Sequence, residues 1–144
     1  MITSFSGKHE FLSNFYPCPI WIDFKGHKWA TTEQAYQAAK LKDADMEFMN
    51  SMDQNKITAG KSKRMGKKIE LRPDWAQIKI NVMIIINERK FSANPDLMEM
   101  LQSTKGQELV EGNNWNDTFW GQCPIGNGRN ELGKVLMGIR DSII

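Results

Sequence analysis

One stretch, PDWAQIKINVMIIINERKF, constrains the fold of this 144-residue chain more than any other. Pro73 lacks an amide proton and favours the start of a helix, and Asp74 is a residue type that caps a first turn. Behind them, residues 78–86 are apolar nearly all round, the pattern of a buried central helix. The isoleucines also permit a strand. The longest uninterrupted apolar run, residues 82–86, is far short of the ~20 residues of a membrane span. The rest of the chain therefore has to wrap this segment. A domain near this length buries roughly two-thirds of its unfolded surface, so a single domain over residues 1–144 is expected.

Around that segment the periodicities are short. Ile20, Ile22 and Phe24 alternate with Trp21 and Asp23 as in a half-buried strand, and Lys25-Gly26-His27 turns it toward a second short strand at Lys28-Trp29. A helix follows from Thr31, with Gln34 three residues on, as in a capping box. Further helices are expected over residues 43–52, 59–69, 95–103 and 132–143, and a strand over 108–111. Residues 113–129, rich in Gly, Asn and Trp, read as loop. The expected fold is compact, mainly helical α+β with a small β-sheet.

Composition narrows the chemistry. A net charge of +2 provides no global field for nucleic acid, so any basic site must be local. Cys18 and Cys123 are the only cysteines and no secretory pattern opens the chain, which points to a reduced, cytoplasmic protein without a membrane anchor. His9 and His27 are the only histidines, too few for a zinc site, and no metal or cofactor is expected. Gly60-Lys61-Ser62 fails as a phosphate loop because Asn55 stands where the first glycine is required. Gly126-x-Gly128 fails as a dinucleotide fingerprint because Glu131 occupies the third glycine's place.

The polar candidates are sharper. At the helical step of ~100°, Glu33, Tyr36, Gln37 and Lys40 fall on one face, with Ala35, Ala38 and Ala39 behind them. The residues alone leave two readings open: a solvated face, or a carboxylate and an amine aimed at a ligand. Lys61, Lys63, Arg64, Lys67 and Lys68 form a basic run suited to phosphate, or simply a solvated basic helix. Trp115 and Trp120 beside Asp117 either anchor their loop or stack on a flat ligand.

Taken in order, these segments resemble one family. Phe5-x-Gly7 and Phe11-Leu12-Ser13-Asn14-Phe15-Tyr16-Pro17 open the pattern. Trp29-x-Thr31-x-Glu33-x-x-Tyr36-Gln37-x-x-Lys40 follows, then Lys90-Phe91, Leu109-Val110-Glu111 and Asp117-x-x-Trp120-Gly121. Gly128-x-Asn130-x-Leu132-Gly133-x-x-Leu136-Met137-x-x-Arg140 closes it. This ordered set is similar to NADAR-domain proteins of the YbiA-like N-glycosidase family. One departure is Gln34, where the family usually has histidine.

The resemblance implies cleavage of a ribosyl N-glycosidic bond, in ADP-ribose attached to guanine of nucleic acid or in ribosylated, phosphoribosylated intermediates of riboflavin synthesis. It implies Lys40 as the amine forming a Schiff base with the ribose and Glu33 as the assisting acid or base. Substrate contacts would fall on Ser13, Asn14, Phe15, Tyr36, Gln37, Arg64, Asp117, Trp120, Gly121 and Asn130. The alternative is a module that binds ADP-ribose or a related nucleotide without turnover. A nucleic-acid packaging or regulatory role would rest on the basic run alone.

Overall fold

A computed structural model of the chain describes residues 1–41, 46, 59–67, 70–123 and 126–142. The expected helix over 43–52 lies outside the described residues, Met46 apart. The architecture is α+β, mainly helical with a two-stranded sheet. Contacts divide the chain into two units, Asn14–Asn94 and a second formed by Met1–Ser13 with Pro95–Ile144.

The unit of Asn14–Asn94 holds the hairpin and three helices. β1 (Ile22–Phe24) and β2 (His27–Trp29) pair antiparallel, with Ile22 opposite Trp29 and Phe24 opposite His27. Lys25 and Gly26 both take positive φ, 52° and 79°, as a two-residue turn matched to strand twist requires. The strand is shorter than the alternation suggested. Ile20 is exposed, and its backbone N–H and C=O are held by the Asn94 side chain at 2.8 and 2.9 Å instead of by a ladder.

α1 (Thr32–Ala39) starts where expected: Thr31 Oγ1 accepts the Gln34 N–H at 3.1 Å. The return bond differs from a capping box, because Gln34 Oε1 accepts the Thr31 hydroxyl, at 2.9 Å. α2 (Ala59–Gly66) carries the basic run, and its expected extension to residue 69 leaves the described residues after Lys67.

α3 (Trp75–Ala93) settles the ambiguity of the isoleucine-rich run as helix. It is not buried on all sides: Asn81 and Ile85 are exposed, while Val82, Met83, Ile86, Asn87, Lys90 and Phe91 form the buried stripe. Asp74 is the N-cap residue but makes no side-chain cap bond. Its carboxylate accepts two bonds from the Arg72 guanidinium instead, at 2.6 and 3.2 Å, a charge-assisted pair that outcompetes a neutral amide. The segment from Asn14 to Ile20 follows the stripe. Asn14 Nδ2 meets Met83 Sδ at 3.8 Å, the Tyr16 ring lies 5.9 Å from the Lys90 amine, and Ile20 ends at Asn94.

In the other unit, a 3-10 helix (Gly7–Leu12), α4 (Pro95–Gln102) and α5 (Glu131–Asp141) are joined by irregular backbone. The strand expected over 108–111 is reduced to isolated parallel bridges, Ile2 to Leu109 and Gly112 to Gln122. The reason is Asn130, which takes the left-handed conformation (φ 53°) and inserts its amide there. Its Oδ1 accepts the Glu111 N–H at 3.0 Å and its Nδ2 donates to the Leu109 carbonyl at 2.8 Å, spending groups that a ladder would use. Gly133 is required beside it, because a Cβ there would collide with the Leu109 carbonyl and the Asn130 side chain. Buried Arg140 donates to the carbonyls of Thr104 and Gln107 at 3.0 and 2.7 Å and binds α5 to the turn after α4.

Candidate functional site

The polar face of α1 is not solvated. Every residue of α1 is buried, Glu33 at 6% and Gln37 at 2% exposure, and the alanine back is inaccessible. Small side chains let the helix sit close to its neighbours, so its polar side is enclosed as well. Burying a carboxylate is costly unless it is hydrogen-bonded. Gln37 Nε2 donates to Glu33 Oε1 at 2.7 Å, and the Glu33 N–H donates to the Asn14 carbonyl at 2.9 Å. Asn14 and Glu33 are thus tied together across nineteen positions of sequence.

Lys40 is the C-cap residue, and its amine lies 5.1 Å from the centre of the Tyr36 ring. That ring stands edge-on to Trp75, at 5.2 Å and 60°. Burial pulls the Lys40 amine below the usual lysine range; Glu33 opposes this, while Lys63, Lys67 and Lys79 add to the depression. The geometry around it is consistent. Trp75 and Lys79 are one turn apart on α3, as Tyr36 and Lys40 are on α1, and the two aromatic rings touch. Lys63 on α2 reaches the half-exposed Phe15 ring at 6.0 Å. Arg64 is exposed on the same helix, and the cations acting on Lys40 are its neighbours instead.

Four buried side-chain oxygens have no hydrogen-bond partner among the described residues: Asn14 Oδ1, Thr32 Oγ1, Gln37 Oε1 and Asn87 Oδ1. All belong to the unit that carries Glu33 and Lys40. An unmatched buried acceptor costs roughly 1–3 kcal/mol, so a set of four calls for a physical cause. Asn87 shares its segment with Asn14: its Nδ2 donates to the Met83 carbonyl at 3.0 Å, and Met83 Sδ meets Asn14.

Asn87 and Lys79 are not among the residues that the sequence motifs single out, whereas Lys90 belongs to the Lys90-Phe91 motif. The available signal was a polar residue on the apolar stripe of a helix, at positions 87 and 90. Lys90 is completely buried, and burial lowers its amine to about 8, with Cys18 opposing.

The remaining candidates sit in the other unit. Ser13 closes the 3-10 helix, its N–H on the Glu10 carbonyl at 2.9 Å. Asp117 Oδ1 accepts the N–H groups of Phe119 and Trp120 at 3.2 and 2.9 Å, shaping the loop that carries Trp120. The Trp120 ring stacks edge-on against Phe119 at 4.7 Å. Gly121 is needed because a Cβ would meet the Glu111 carbonyl and the Asn113 amide. Asn130 spends both ends of its amide on the backbone of residues 109 and 111. Among the described residues there is no group of three or more His, Cys, Asp or Glu side chains able to hold a metal ion.

The NADAR domain profile matches residues 4–144. The chain belongs to the NADAR family.

Similar proteins agree with this placement. N-glycosidase YbiA of Shigella flexneri serotype 5b (strain 8401) is 33% identical over 132 residues, covering 91% of this chain and 79% of the relative. A riboflavin biosynthesis protein of Vibrio vulnificus (strain YJ016) is 36% identical over 135 residues, 94% of this chain. The chain spans only 36% of that relative's length, and 23% of a chloroplastic riboflavin biosynthesis protein of Zea mays. The NMR structure of the E. coli protein YbiA superposes with a TM-score of 0.82 at 31% identity, over 99% of this chain and 82% of that one. In this NADAR domain Gln34 is buried and engaged in the Thr31 cap, so here the residue serves helix initiation. No helix among the described residues is long and apolar enough to cross a membrane.

Proposed function

We propose that this NADAR domain is an N-glycosidase that hydrolyses the bond between a ribose C1 and a heterocycle nitrogen, with Lys40 as nucleophile and Glu33 as its acid–base partner. The observation that carries the proposal is a buried carboxylate on α1 with a half-buried, pKa-depressed amine at that helix's C-cap. Breaking a ribosyl C–N bond develops positive charge at C1, which a buried carboxylate stabilises. A lysine attacks only as the neutral amine, and desolvation with neighbouring cations increases that fraction.

Neutral Lys40 Nζ bonds to C1, and the C1–N electron pair leaves with the base, which takes a proton by way of Glu33. The C1–O4 pair then moves to O4, opening the sugar to an iminium on Lys40. Water adds at C1, the amine departs, and the sugar closes with a hydroxyl at C1. Asn14 and Gln37, beside Glu33, are the polar groups that the motif match assigns to the ribose. Lys63 and Lys67 are suited to its phosphates, with Arg64 on the same helix as an outer contact.

Two substrate classes fit this chemistry: ADP-ribose on guanine of nucleic acid, and a ribosylated or phosphoribosylated pyrimidine of the riboflavin route. The relatives named for riboflavin biosynthesis favour the second. Contacts from Ser13, Asp117, Trp120 and Gly121 rest on the motif match. The test is a panel of both substrates followed by mass spectrometry. Release of free base or free ADP-ribose, lost in Lys40→Ala and Lys40→Arg, with a ribose adduct on the Lys40 peptide after borohydride, is the expected result. Saturable binding with no product from either class would favour a nucleotide-binding module instead.

A further inference from the structure

The unit of Met1–Ser13 and Pro95–Ile144 contains a cleft of about 660 Å³ that the glycosidase chemistry does not use. Its size is that of a small-molecule site. Thirteen described residues line it, and none is Asp, Glu, Lys, Arg or His. A quarter of the chain is charged, so thirteen residues drawn at that rate would include about three.

Trp115 stands at this cleft with 60% of its surface exposed. Its loop is held in place by its own side chains. Asn113 Oδ1 accepts the N–H groups of Trp115 and Asp117 at 3.3 and 3.1 Å, and Asn113 Nδ2 donates to the Asp117 carbonyl at 3.0 Å. The walls are equally built. Ile2 and Val110 exchange backbone bonds with residues 108 and 2, and Asn113 and Gln122 are joined at 2.9 Å. A fixed frame thus presents an indole to solvent over a neutral cleft. Holding the loop backbone beforehand removes part of the ordering cost of stacking on its aromatic side chain.

We propose that this cleft binds an uncharged planar heteroaromatic molecule of nucleoside size, stacked on Trp115. The aromatic face recognises the ring. The amides of Asn114 and Gln122 and the hydroxyls of Ser4 and Ser6 meet its polar edge. The lack of charged side chains among the lining residues selects against phosphates. The proposal stands on this unit and does not depend on Lys40 chemistry.

The experiment uses the full chain with isotopically labelled indoles, titrated with adenosine and with uridine, and with cyclohexanol as a ring lacking π electrons. Trp115→Phe assigns the Trp115 indole resonance. The expected result is a saturable upfield shift of that resonance with both nucleosides and none with cyclohexanol. The affinity should not change between low and high salt, and should persist in Lys40→Ala. Measured by calorimetry, Trp115→Ala should weaken it roughly tenfold or more, with Trp115→Phe intermediate. Absence of a Trp115 shift up to nucleoside solubility would overturn the proposal. So would a shift confined to other indoles, a strong salt dependence, or unchanged affinity in a folded Trp115→Ala protein. If Trp115→Ala fails to fold, undiminished affinity in Trp115→Phe overturns it equally.

Discussion

Lys90 offers a quantitative test of how deeply α3 is enclosed. Its side chain is inaccessible, and burial lowers its amine from the ordinary 10.5 to about 8. The folded protein therefore holds that proton less tightly than the unfolded chain. Below pH 8 the penalty is complete, and it fades as pH rises toward the unfolded value. A difference of about 2.5 pKa units corresponds to about 3 kcal/mol. Stability should thus rise with pH above 8, by about 1 kcal/mol between pH 7 and pH 9. Cys18 acts with the opposite sign, because burial raises its thiol above the ordinary 9.0, and stability is lost as pH passes upward from there. Urea denaturation at pH 7, 8, 9 and 10 in a Cys18→Ala background isolates the lysine. The rise seen with Lys90 present should be absent in Lys90→Met, which fills a similar volume without charge, and that variant should be at least as stable at pH 7. A flat profile with Lys90 present, or an equal rise in Lys90→Met, would refute the argument.

Lys63→Gln and Lys79→Gln each remove a cation that depresses the Lys40 amine, so the acid limb of the pH–rate profile should move to higher pH; an unmoved limb would separate these lysines from Lys40. Arg64→Ala should raise KM for phosphorylated substrate several-fold with kcat nearly unchanged, as loss of uniform binding does, readable from initial rates. Asn130→Ala leaves two backbone partners unmatched and should cost roughly 2–4 kcal/mol by urea denaturation. Gly133→Ala forces a methyl onto the Leu109 carbonyl and should cost roughly 1–3 kcal/mol, with turnover per folded molecule retained.

Local chemistry was readable along the chain. Thr31 and Gln34 announce the start of α1, Lys25-Gly26-His27 announces a turn, and Pro73-Asp74 precedes α3. The order of the motifs was enough to indicate the NADAR family, because each motif is a short pattern and the order multiplies their specificity. These features depend on residues within a few positions of one another, so the sequence alone determines them. Whether the Glu33–Lys40 face met water or protein was not of this kind. Burial is a sum over neighbours brought from residues 14, 63, 75 and 79, and no window of sequence contains them all. The same holds for the ladder that Asn130 displaced at 109–111 and for the full enclosure of Lys90. In each case two local options lay within a few kcal/mol, and the choice fell to partners that only the folded chain brings into range.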